Sequence, residues 1–399
     1  MQISEITIKS FKTLDSVTFQ PGRVNVFIGA NGSGKTTILE AIGMLSAALT
    51  DRIDNNSMNR KGIRLSVPKL YKSNFIDLSR TAPTVGLSMK WVHDGDYYDY
   101  AVNLNVPNEK DAAVRDTWRY HSEHISKNKK NIAGRSGASQ NARDPYMGLF
   151  LQESDVSLSS ARDSIVQLKD YSIFQPNTQT LRGTQIDPYQ INPLGLCGGR
   201  LAEAIEELLK KDNDDSFSFG DLPLDDVLDL IEWASSIKVT APKKTSINSA
   251  VPTTRQVIEF QDRFLRTDCQ FTAYDASEGA LYVLFLLCLA LHPNTPSVFA
   301  VDSFDHAMHP RLAQATTRLF CETLLKSEKT AFITTHNPLV LDGLDLCDDR
   351  IRLFAVNKSS RNGRTTIERI QITEDLLQKG FSLSRLWVDG RLGGVPNLL

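Results

Sequence analysis

Hydrophobic residues follow two different patterns at the two ends of the chain. Near the start, β-rich apolar runs predict a strand at Ile3–Ile8 and a buried strand at Val24–Ile28, and apolar residues at helical spacing then predict a helix over Thr37–Ala48. From residue 270 onward, apolar helices and strands alternate. Alternation of this kind is typical of a mainly parallel sheet covered by helices. The sequence therefore predicts an α/β fold in which both ends of the chain contribute to one sheet.

The predicted elements of the C-terminal part are two helix–strand pairs and a β-hairpin. They are a helix at Ser277–Leu291, a strand at Ser297–Val301, a helix at Arg311–Leu325, a strand at Thr330–Thr334 and a hairpin of Arg350–Val356 with Thr365–Ile372.

The middle of the chain, residues 51–265, lacks this alternation and is predicted to be an insertion. Its predicted elements are a loop at Asp51–Phe75, a hairpin of Thr84–Val92 with Tyr97–Val106, a mobile surface loop at 107–145, a strand at Tyr171–Phe174, helices at Leu201–Lys211 and Leu224–Ser235, a linker at Ala241–Thr254 and a strand at Gln256–Gln261.

Composition narrows the class of protein without identifying it. Hydrophobic residues make up 41% and charged residues 23%, with a formal net charge of −2, which is typical of a globular chain without a global basic excess. The five cysteines are scattered with no CxxC pair, which favours reduced thiols in the cytoplasm. The longest apolar run, around Leu281–Leu291, is too short to span a bilayer, and the N-terminus has no signal-peptide pattern, so no membrane association is expected.

The most specific motif is Gly29–Thr36, which fits the phosphate-binding pattern G-x-x-x-x-G-K-[ST] between a strand and a helix. Its glycines allow backbone N–H groups to approach a triphosphate, and the helix N-terminus favours the same anion. A Gly-rich turn with a chance lysine is the alternative. The predicted nucleotide ligands are Asn31, Gly32, Ser33, Gly34, Lys35, Thr36 and Thr37, with the Thr36 hydroxyl also on Mg²⁺.

Two further residues at strand ends are candidates for the same site. Asp302 follows the buried strand at 298–301, where a carboxylate can hold Mg²⁺; otherwise it caps a turn. His336 follows the next strand and could reach a γ-phosphate; otherwise it is a turn histidine.

A third candidate lies at the start of the helix before the Asp302 strand. Ser277, Gly279 and the helix N-terminus could present donors to a phosphate. Asp275 and Glu278 also have the spacing of a capping box, so a purely structural role explains the same residues equally well.

The order of these motifs resembles the ABC-type ATPase heads of the SMC, RecF and overcoming-lysogenization-defect (OLD) group, over residues 1–49 and about 268–357. The resemblance implies a P-loop NTPase of ABC-head type, with a mixed, mainly parallel sheet, a large α+β insertion, and ATP and Mg²⁺ as cofactors. It makes Ala276–Gly279 the signature motif that completes the ATP site of an opposite protomer, so that a homodimer or higher homo-oligomer sandwiches ATP. It also makes His336 the switch histidine, His306–Pro310 the D-loop and Lys12 a basic residue near the nucleotide.

The resemblance also divides the chain and suggests its context. Residues 1–50 and 266–399 become the two lobes of the ATPase head, and 51–265 the insertion. The segments Ser382–Trp387 and Gly390–Pro396 are similar to the tail of stand-alone OLD-like ATPases from bacterial anti-phage systems. The stretch after His336 is too short for the nuclease domain of OLD nucleases, which implies that a nuclease-like effector would be a separate protein.

One departure from the family affects the expected chemistry. The family usually has glutamate directly after the aspartate of its Walker-B motif. In this chain that aspartate corresponds to Asp302, and the next residue is Ser303. Serine is a poor base at neutral pH, and losing a general base costs roughly 10²–10⁴-fold in rate. Asp305 or His306 could substitute, and slow hydrolysis or a long-lived ATP-bound state is expected.

The sequence leaves several alternatives open. Asp302, Asp305, His306 and His309 could form a transition-metal cluster. The basic run Lys127–Arg135 could contact DNA or be a solvated loop. The leading hypothesis is an ATP-dependent sensor or scaffold; a RecF-like DNA-maintenance ATPase is second, and a transporter ATPase is disfavoured because no coupling partner is indicated.

Overall fold

The computed structural model describes residues 1–50, 52–107, 118–135, 159–211, 217–245, 247–248, 250–252, 256–372 and 382–395. Its central sheet contains, in spatial order, Thr365–Ile370 (β18), Ile351–Lys358 (β17), Val24–Ile28 (β3), Thr330–Thr334 (β16), Val298–Val301 (β15) and Ile173–Phe174 (β8). Neighbouring strands are parallel except for the antiparallel pair β17–β18. The prediction that both ends of the chain share one mainly parallel sheet is therefore confirmed.

A second sheet is antiparallel and packs beside the first. Its order is Leu14–Phe19 (β2), Gln2–Phe11 (β1), Val85–His93 (β4), Asp96–Asn105 (β5), Arg119–Lys127 (β6) and Lys130–Arg135 (β7). The predicted hairpin at β4 and β5 is confirmed. Asp94 and Gly95 form its two-residue turn with φ of +50° and +82°, the left-handed geometry that Asp-Gly turns favour.

The remaining regular elements of the described residues are α-helices, two short 3-10 helices and two small sheets. The helices are Lys35–Thr50 (α1), Asn55–Arg60 (α2), Ser159–Lys169 (α3), Thr178–Leu181 (α4), Leu201–Leu208 (α5), Leu224–Ile231 (α6), Glu278–Leu291 (α7), Pro310–Lys326 (α8), Pro338–Leu341 (α9) and Leu383–Val388 (α10). The small sheets consist of Leu209–Lys211 (β9), Phe217–Phe219 (β10) and Leu222–Pro223 (β11), and of Ala234–Thr240 (β12), Val257–Asp262 (β13) and Gln270–Thr272 (β14).

The central sheet is covered on both faces, and every residue of β3 is therefore buried. Val24 and Val26 belong to the hydrophobic cluster on the α7 and α8 side. Phe27 belongs to the other cluster, between α1 and the antiparallel sheet, where its ring stacks on Phe332 and Phe354 at 6.4 Å and 5.3 Å. Because successive side chains point to opposite faces, a strand buried on both sides is apolar except where a polar side chain is hydrogen-bonded, as Asn25 is to Gly22 and Ala331.

Helix α7 is buried on every side. Each residue from Leu281 to Ala290 is at most 1% exposed, which explains why no polar stripe interrupts its sequence. Among the described residues, no helix combines the length and the apolar character needed to cross a membrane.

The prediction of a mobile loop over 107–145 is wrong for residues 119–135. This segment forms the hairpin of β6 and β7 and extends the antiparallel sheet along β5. Trp118, Tyr120 and Ile125 are at most 1% exposed, so a few apolar anchors and the strand pairing outweigh the polar composition. Residues 108–117 and 136–145 lie outside the described residues.

Smaller corrections concern element ends. The predicted loop at 51–75 contains α2, whose start is fixed by a capping box between Asp54 and Ser57. The predicted helix at 201–211 ends at Leu208, because 209–211 pair with β10. The predicted helix at 224–235 ends at Ile231, because residues from Ala234 onward pair with β13.

The segment predicted as an insertion takes part in both large sheets. It supplies β4 to β7 to the antiparallel sheet, beside β1 and β2, and β8 to the edge of the central sheet. The division of the chain at residues 50 and 265 stays a prediction about domain organisation.

Candidate nucleotide-binding site

The loop from Gly29 to Gly34 connects β3 to α1 and has the backbone shape that a phosphate-binding loop requires. Gly32 and Gly34 have φ of +73° and +113°, and a Cβ atom at Gly34 would lie 2.8 Å from Thr365 Oγ1. A side chain at either position would be strained. The loop leads directly into the N-terminus of α1 at Lys35, where backbone N–H groups and the helix dipole favour an anion.

Lys35 is 6% exposed, and its ammonium group lies within the loop. Its Nζ donates to the carbonyl oxygens of Gly29 and Ala30 at 2.8 Å and 3.1 Å. Burial lowers the pKa of Lys35 to about 8, against the opposing charges of Asp302 and Asp305. Because burial disfavours the charged form of Lys35, an anion bound beside its ammonium group would stabilise that charged form.

Thr36 and Asp302 are in direct contact, although 266 positions separate them in the sequence. Thr36 Oγ1 donates to Asp302 Oδ2 at 2.9 Å. Thr334 Oγ1 donates to Asp302 Oδ1 at 2.6 Å and accepts from the Ser303 N–H at 2.9 Å. The Thr36 hydroxyl and the Asp302 carboxylate, which are predicted to hold Mg²⁺, are thus brought together. The hydrogen bond from Thr334 to Oδ1 orients the carboxylate.

Asp305 and His336 lie on the same side of the site. Asp305 Oδ1 accepts from Thr335 Oγ1 at 2.6 Å and from the His336 N–H at 3.3 Å. Partial burial and the charge of Lys35 lower the pKa of His336, against the opposing charges of Asp305 and Asp302. The lowered pKa favours the neutral imidazole, in which one ring nitrogen donates a hydrogen bond and the other accepts one.

Ser303 occupies the position where the resemblance led us to expect glutamate. Its backbone has φ of +61° and its side chain is exposed. The left-handed conformation is unusual for a residue that is not glycine. The hydrogen bond from the Ser303 N–H to Thr334 Oγ1 helps to hold the turn after β15 in this conformation.

The signature segment at Ser277–Gly279 forms the start of α7 and contacts the D-loop. Ser277 is the N-cap, and its Oγ accepts from the Ala280 N–H at 3.4 Å. The capping-box alternative is wrong, because Asp275 instead accepts from the N–H and hydroxyl of Thr272. A Cβ atom at Gly279 would lie 3.3 Å from the carbonyl oxygen of Ala307. Among the described residues, no hydrogen bond of Ser277 reaches the phosphate-binding loop.

Lys12 lies beside the site but holds a buried carboxylate. Its Nζ donates to Glu40 Oε2 at 2.6 Å, and Arg64 Nε donates to Glu40 Oε1 at 2.8 Å. Glu40 is fully buried in α1. Lys12, Thr37 and Arg64 line one cleft of about 730 Å³ next to the phosphate-binding loop.

The sequence motifs did not single out Glu40, Thr334 or Thr335 as residues of the site, although the sequence around each of them is unusual. Glu40 is a carboxylate in an otherwise apolar helix, and buried carboxylates need cationic partners. Thr334 and Thr335 are polar residues that end a buried apolar strand directly before His336. What the sequence did not reveal is which partner each one takes.

The histidines of the D-loop have other contacts. The ring of His306 packs against Tyr282 at 5.3 Å, and His309 Nδ1 accepts from the Arg311 N–H at the start of α8. Among the described residues, no three side chains of the His, Cys, Asp and Glu types are grouped to hold a metal, so the geometry gives no support to a transition-metal cluster at Asp302.

The chemistry of the site fits a magnesium-bound nucleoside triphosphate. Thr36 and Asp302 supply hard oxygen ligands, which Mg²⁺ prefers. Ser33 Oγ is a buried polar atom that has no hydrogen-bond partner within the described part of the chain, so it can serve a further polar group. Mg²⁺ would supply charge neutralisation of the phosphates, while Lys35 and the loop N–H groups bind and orient them.

Comparisons with known protein families locate two matching segments. A model described as an AAA ATPase domain matches residues 1–141. A second AAA domain model, named for the AbiEii toxin of a type IV toxin–antitoxin system, matches residues 206–342. The two matches include the phosphate-binding loop and the segment from Ser277 to His336, respectively.

Curated relatives match only a short stretch. The DNA replication and repair protein RecF of Pseudomonas fluorescens (strain Pf0-1) is 45% identical over 53 residues, which are 13% of this chain and 14% of that protein. RecF of Marinomonas sp. (strain MWYL1) is 49% identical over 47 residues, 12% of this chain and 13% of that protein. The alignment thus spans about one seventh of the relatives' length.

Solved structures extend the likeness to the whole fold. An SMC head domain from Thermotoga maritima has a TM-score of 0.50 at 15% identity, covering 93% of this chain and 100% of that one. An Smc head bound to the C-winged helix domain of ScpA has a TM-score of 0.54 at 12% identity, covering 94% and 100%. The fold is therefore that of an ABC-type P-loop ATPase head.

Proposed function

We propose that the chain binds Mg-ATP between Gly29–Thr36 and Asp302, and that ATP joins two copies into a sandwich dimer. The hydrogen bond between Thr36 and Asp302 carries this proposal, because it joins the two predicted Mg²⁺ ligands beside Lys35. The position of Ser277 supports the dimer. Its Oγ caps its own helix by accepting from the Ala280 N–H and makes no hydrogen bond with the phosphate-binding loop of the same copy among the described residues. In a sandwich, Ser277 and Gly279 of the partner copy complete the site.

Hydrolysis in this site is slow. Ser303 offers no base, and Oδ1 of Asp305, two residues later, already accepts hydrogen bonds from the Thr335 hydroxyl and the His336 N–H. Losing a positioned general base costs roughly 10²–10⁴-fold in rate. The protein therefore works as a clamp held by ATP, with Asp305 and His336 orienting water or the γ-phosphate.

The biological role that fits such a clamp is control of a separate effector. We propose a cytoplasmic ATPase that senses a trigger in bacterial anti-phage defence and holds or releases a nuclease-like protein. The tail segments Ser382–Trp387 and Gly390–Pro396 and the matching AAA domain model named for a toxin support this context.

The test is a Lys35→Ala variant in two assays. Purified Lys35→Ala should not bind Mg-ATP in a calorimetric titration, and cells that carry it with its neighbouring genes should lose protection against phage. Purification of the wild-type assembly from its own operon should recover a second protein. A Lys35→Ala protein that still protects cells would contradict the proposal.

A DNA-maintenance ATPase is the alternative, favoured by the name of the RecF relatives. The structure weakens the basic run as a DNA contact, because Lys127 pairs with Asp96 at 2.6 Å and Arg135 with Glu123 at 3.1 Å. This alternative predicts salt-sensitive gel shifts of duplex DNA that require ATP and are lost on neutralising Lys129 and Lys130.

A further inference from the structure

The C-terminal segment 382–395, here called the strap, is attached to the segment that carries His336. The Ser384 N–H and hydroxyl donate to the two carboxylate oxygens of Asp342, at 2.8 Å and 2.6 Å. Asp342 directly follows α9, which begins two residues after His336. Leu386 and Trp387 of α10 are buried in the same hydrophobic cluster as α9. One end of the strap is therefore fixed beside the candidate switch histidine.

The other end of the strap reaches the phosphate-binding loop. Gly394 is buried, has φ of +67°, and donates its N–H to Asn357 Oδ1 at 2.8 Å. A Cβ atom at Gly394 would lie 3.1 Å from Gly29 Cα and 3.3 Å from the carbonyl oxygen of Ile28. The backbone of the strap thus packs directly on the first residue of the loop, where only glycine fits without displacement.

Gly29 is enclosed from its other sides as well. A Cβ atom there would lie 2.4 Å from the carbonyl oxygen of Val356 and 2.6 Å from Ser33 Oγ. The carbonyl oxygen of Gly29 accepts from Lys35 Nζ at 2.8 Å. A displacement of Gly29 by the strap therefore reaches the ammonium group through a single hydrogen bond.

We infer that the strap positions the phosphate-binding loop and links it to the His336 segment, with Gly394 and Asp342 as positioning residues for nucleotide binding. This inference rests on the proposed function, since it concerns the same nucleotide site. Coupling between two sites is reciprocal. If a docked strap favours bound nucleotide, bound nucleotide must hold the strap more firmly.

A matched pair of glycine substitutions tests the positioning role. Gly390 and Gly394 both have left-handed backbones, with φ of +75° and +67°, but a Cβ atom at Gly390 meets only the Val395 side chain at 3.5 Å. Gly394→Ala should displace the loop by a few tenths of an ångström and weaken binding of Mg-AMP-PNP about tenfold. A misplacement of about 1 Å in an active site can lower a reaction rate by about 10²-fold, and we expect a smaller displacement to have a smaller effect. Gly390→Ala should bind as tightly as the wild type. Equal affinity of the two variants would overturn the inference.

Hydrogen exchange on the wild-type protein tests the link even if Gly394→Ala fails to fold. Saturating Mg-AMP-PNP should slow amide exchange in residues 383–395, and a Lys35→Ala protein given the same nucleotide should show no change. A passive C-terminal segment would exchange at the same rate with and without nucleotide, which would overturn the inference. A wild-type protein that binds no nucleotide would instead refute the proposed function itself.

Discussion

Raising the pH above 8 should weaken nucleotide binding, because Lys35 must carry its proton to bind the phosphates. Burial lowers the pKa of this lysine to about 8 in the free protein. A bound triphosphate restores the pKa toward the usual 10.5, so binding takes up a proton at alkaline pH. Between pH 7.5 and pH 9 the protonated fraction of free Lys35 falls by about eightfold, equivalent to about 1.3 kcal/mol of binding free energy.

Calorimetric titration of Mg-AMP-PNP at constant ionic strength measures this directly. Lys35 sets the sign of the pH dependence, because the second pKa of phosphate esters is about 6 and the pKa of His336 is lowered below its usual 6.5, so both groups titrate below this pH range. Lys35→Arg is the control, since a guanidinium keeps its charge throughout this range. A wild-type affinity that is constant from pH 7.5 to pH 9, or an equal loss in Lys35→Arg, would show that deprotonation of Lys35 does not control nucleotide binding.

Three further substitutions follow from contacts in and beside the site. Thr36→Val removes the hydroxyl at Asp302 and should lower the affinity for Mg-ATP about tenfold while leaving metal-free ATP binding unchanged, as titration with and without Mg²⁺ would measure. Ser303→Glu supplies the absent base and should raise steady-state phosphate release at least about tenfold, although the left-handed backbone at Ser303 opposes part of the gain. Glu40→Gln leaves the Lys12 ammonium without its buried counter-charge and should lower the free energy of unfolding by about 2 kcal/mol in urea titrations; an unchanged midpoint would show that the pair is neutral for stability.

The parts of the fold that could be predicted are those whose signal is local. The strand at Val24–Ile28, the glycine loop after it and Asp302 at the end of another apolar strand each follow from a short pattern of residue types. Their convergence also follows, because carboxyl ends of neighbouring parallel strands meet at one edge of the sheet.

The parts that could not be predicted depend on contacts between distant segments. Polar residues at 119–135 become strands only because β5 offers an edge to pair with. Glu40 joins Lys12 and Arg64 from three separate elements, and nothing in the spacing of these residues indicates that they meet. Gly394 contacts Gly29 from the other end of the chain, and a glycine-rich tail gives no sign of its partner.

If two copies share each ATP site through Ser277, as proposed, the mass of the assembly with Mg-AMP-PNP depends on that residue. The wild type should shift from its 44.5 kDa protomer to twice that mass. Lys35→Ala and Ser277→Arg should each stay at the protomer mass alone, whereas an equimolar mixture should form dimers, because it can assemble one intact site from the unaltered Lys35 of one copy and the unaltered Ser277 of the other. A Ser277→Arg protein that dimerises like the wild type would show that Ser277 does not complete the partner's site.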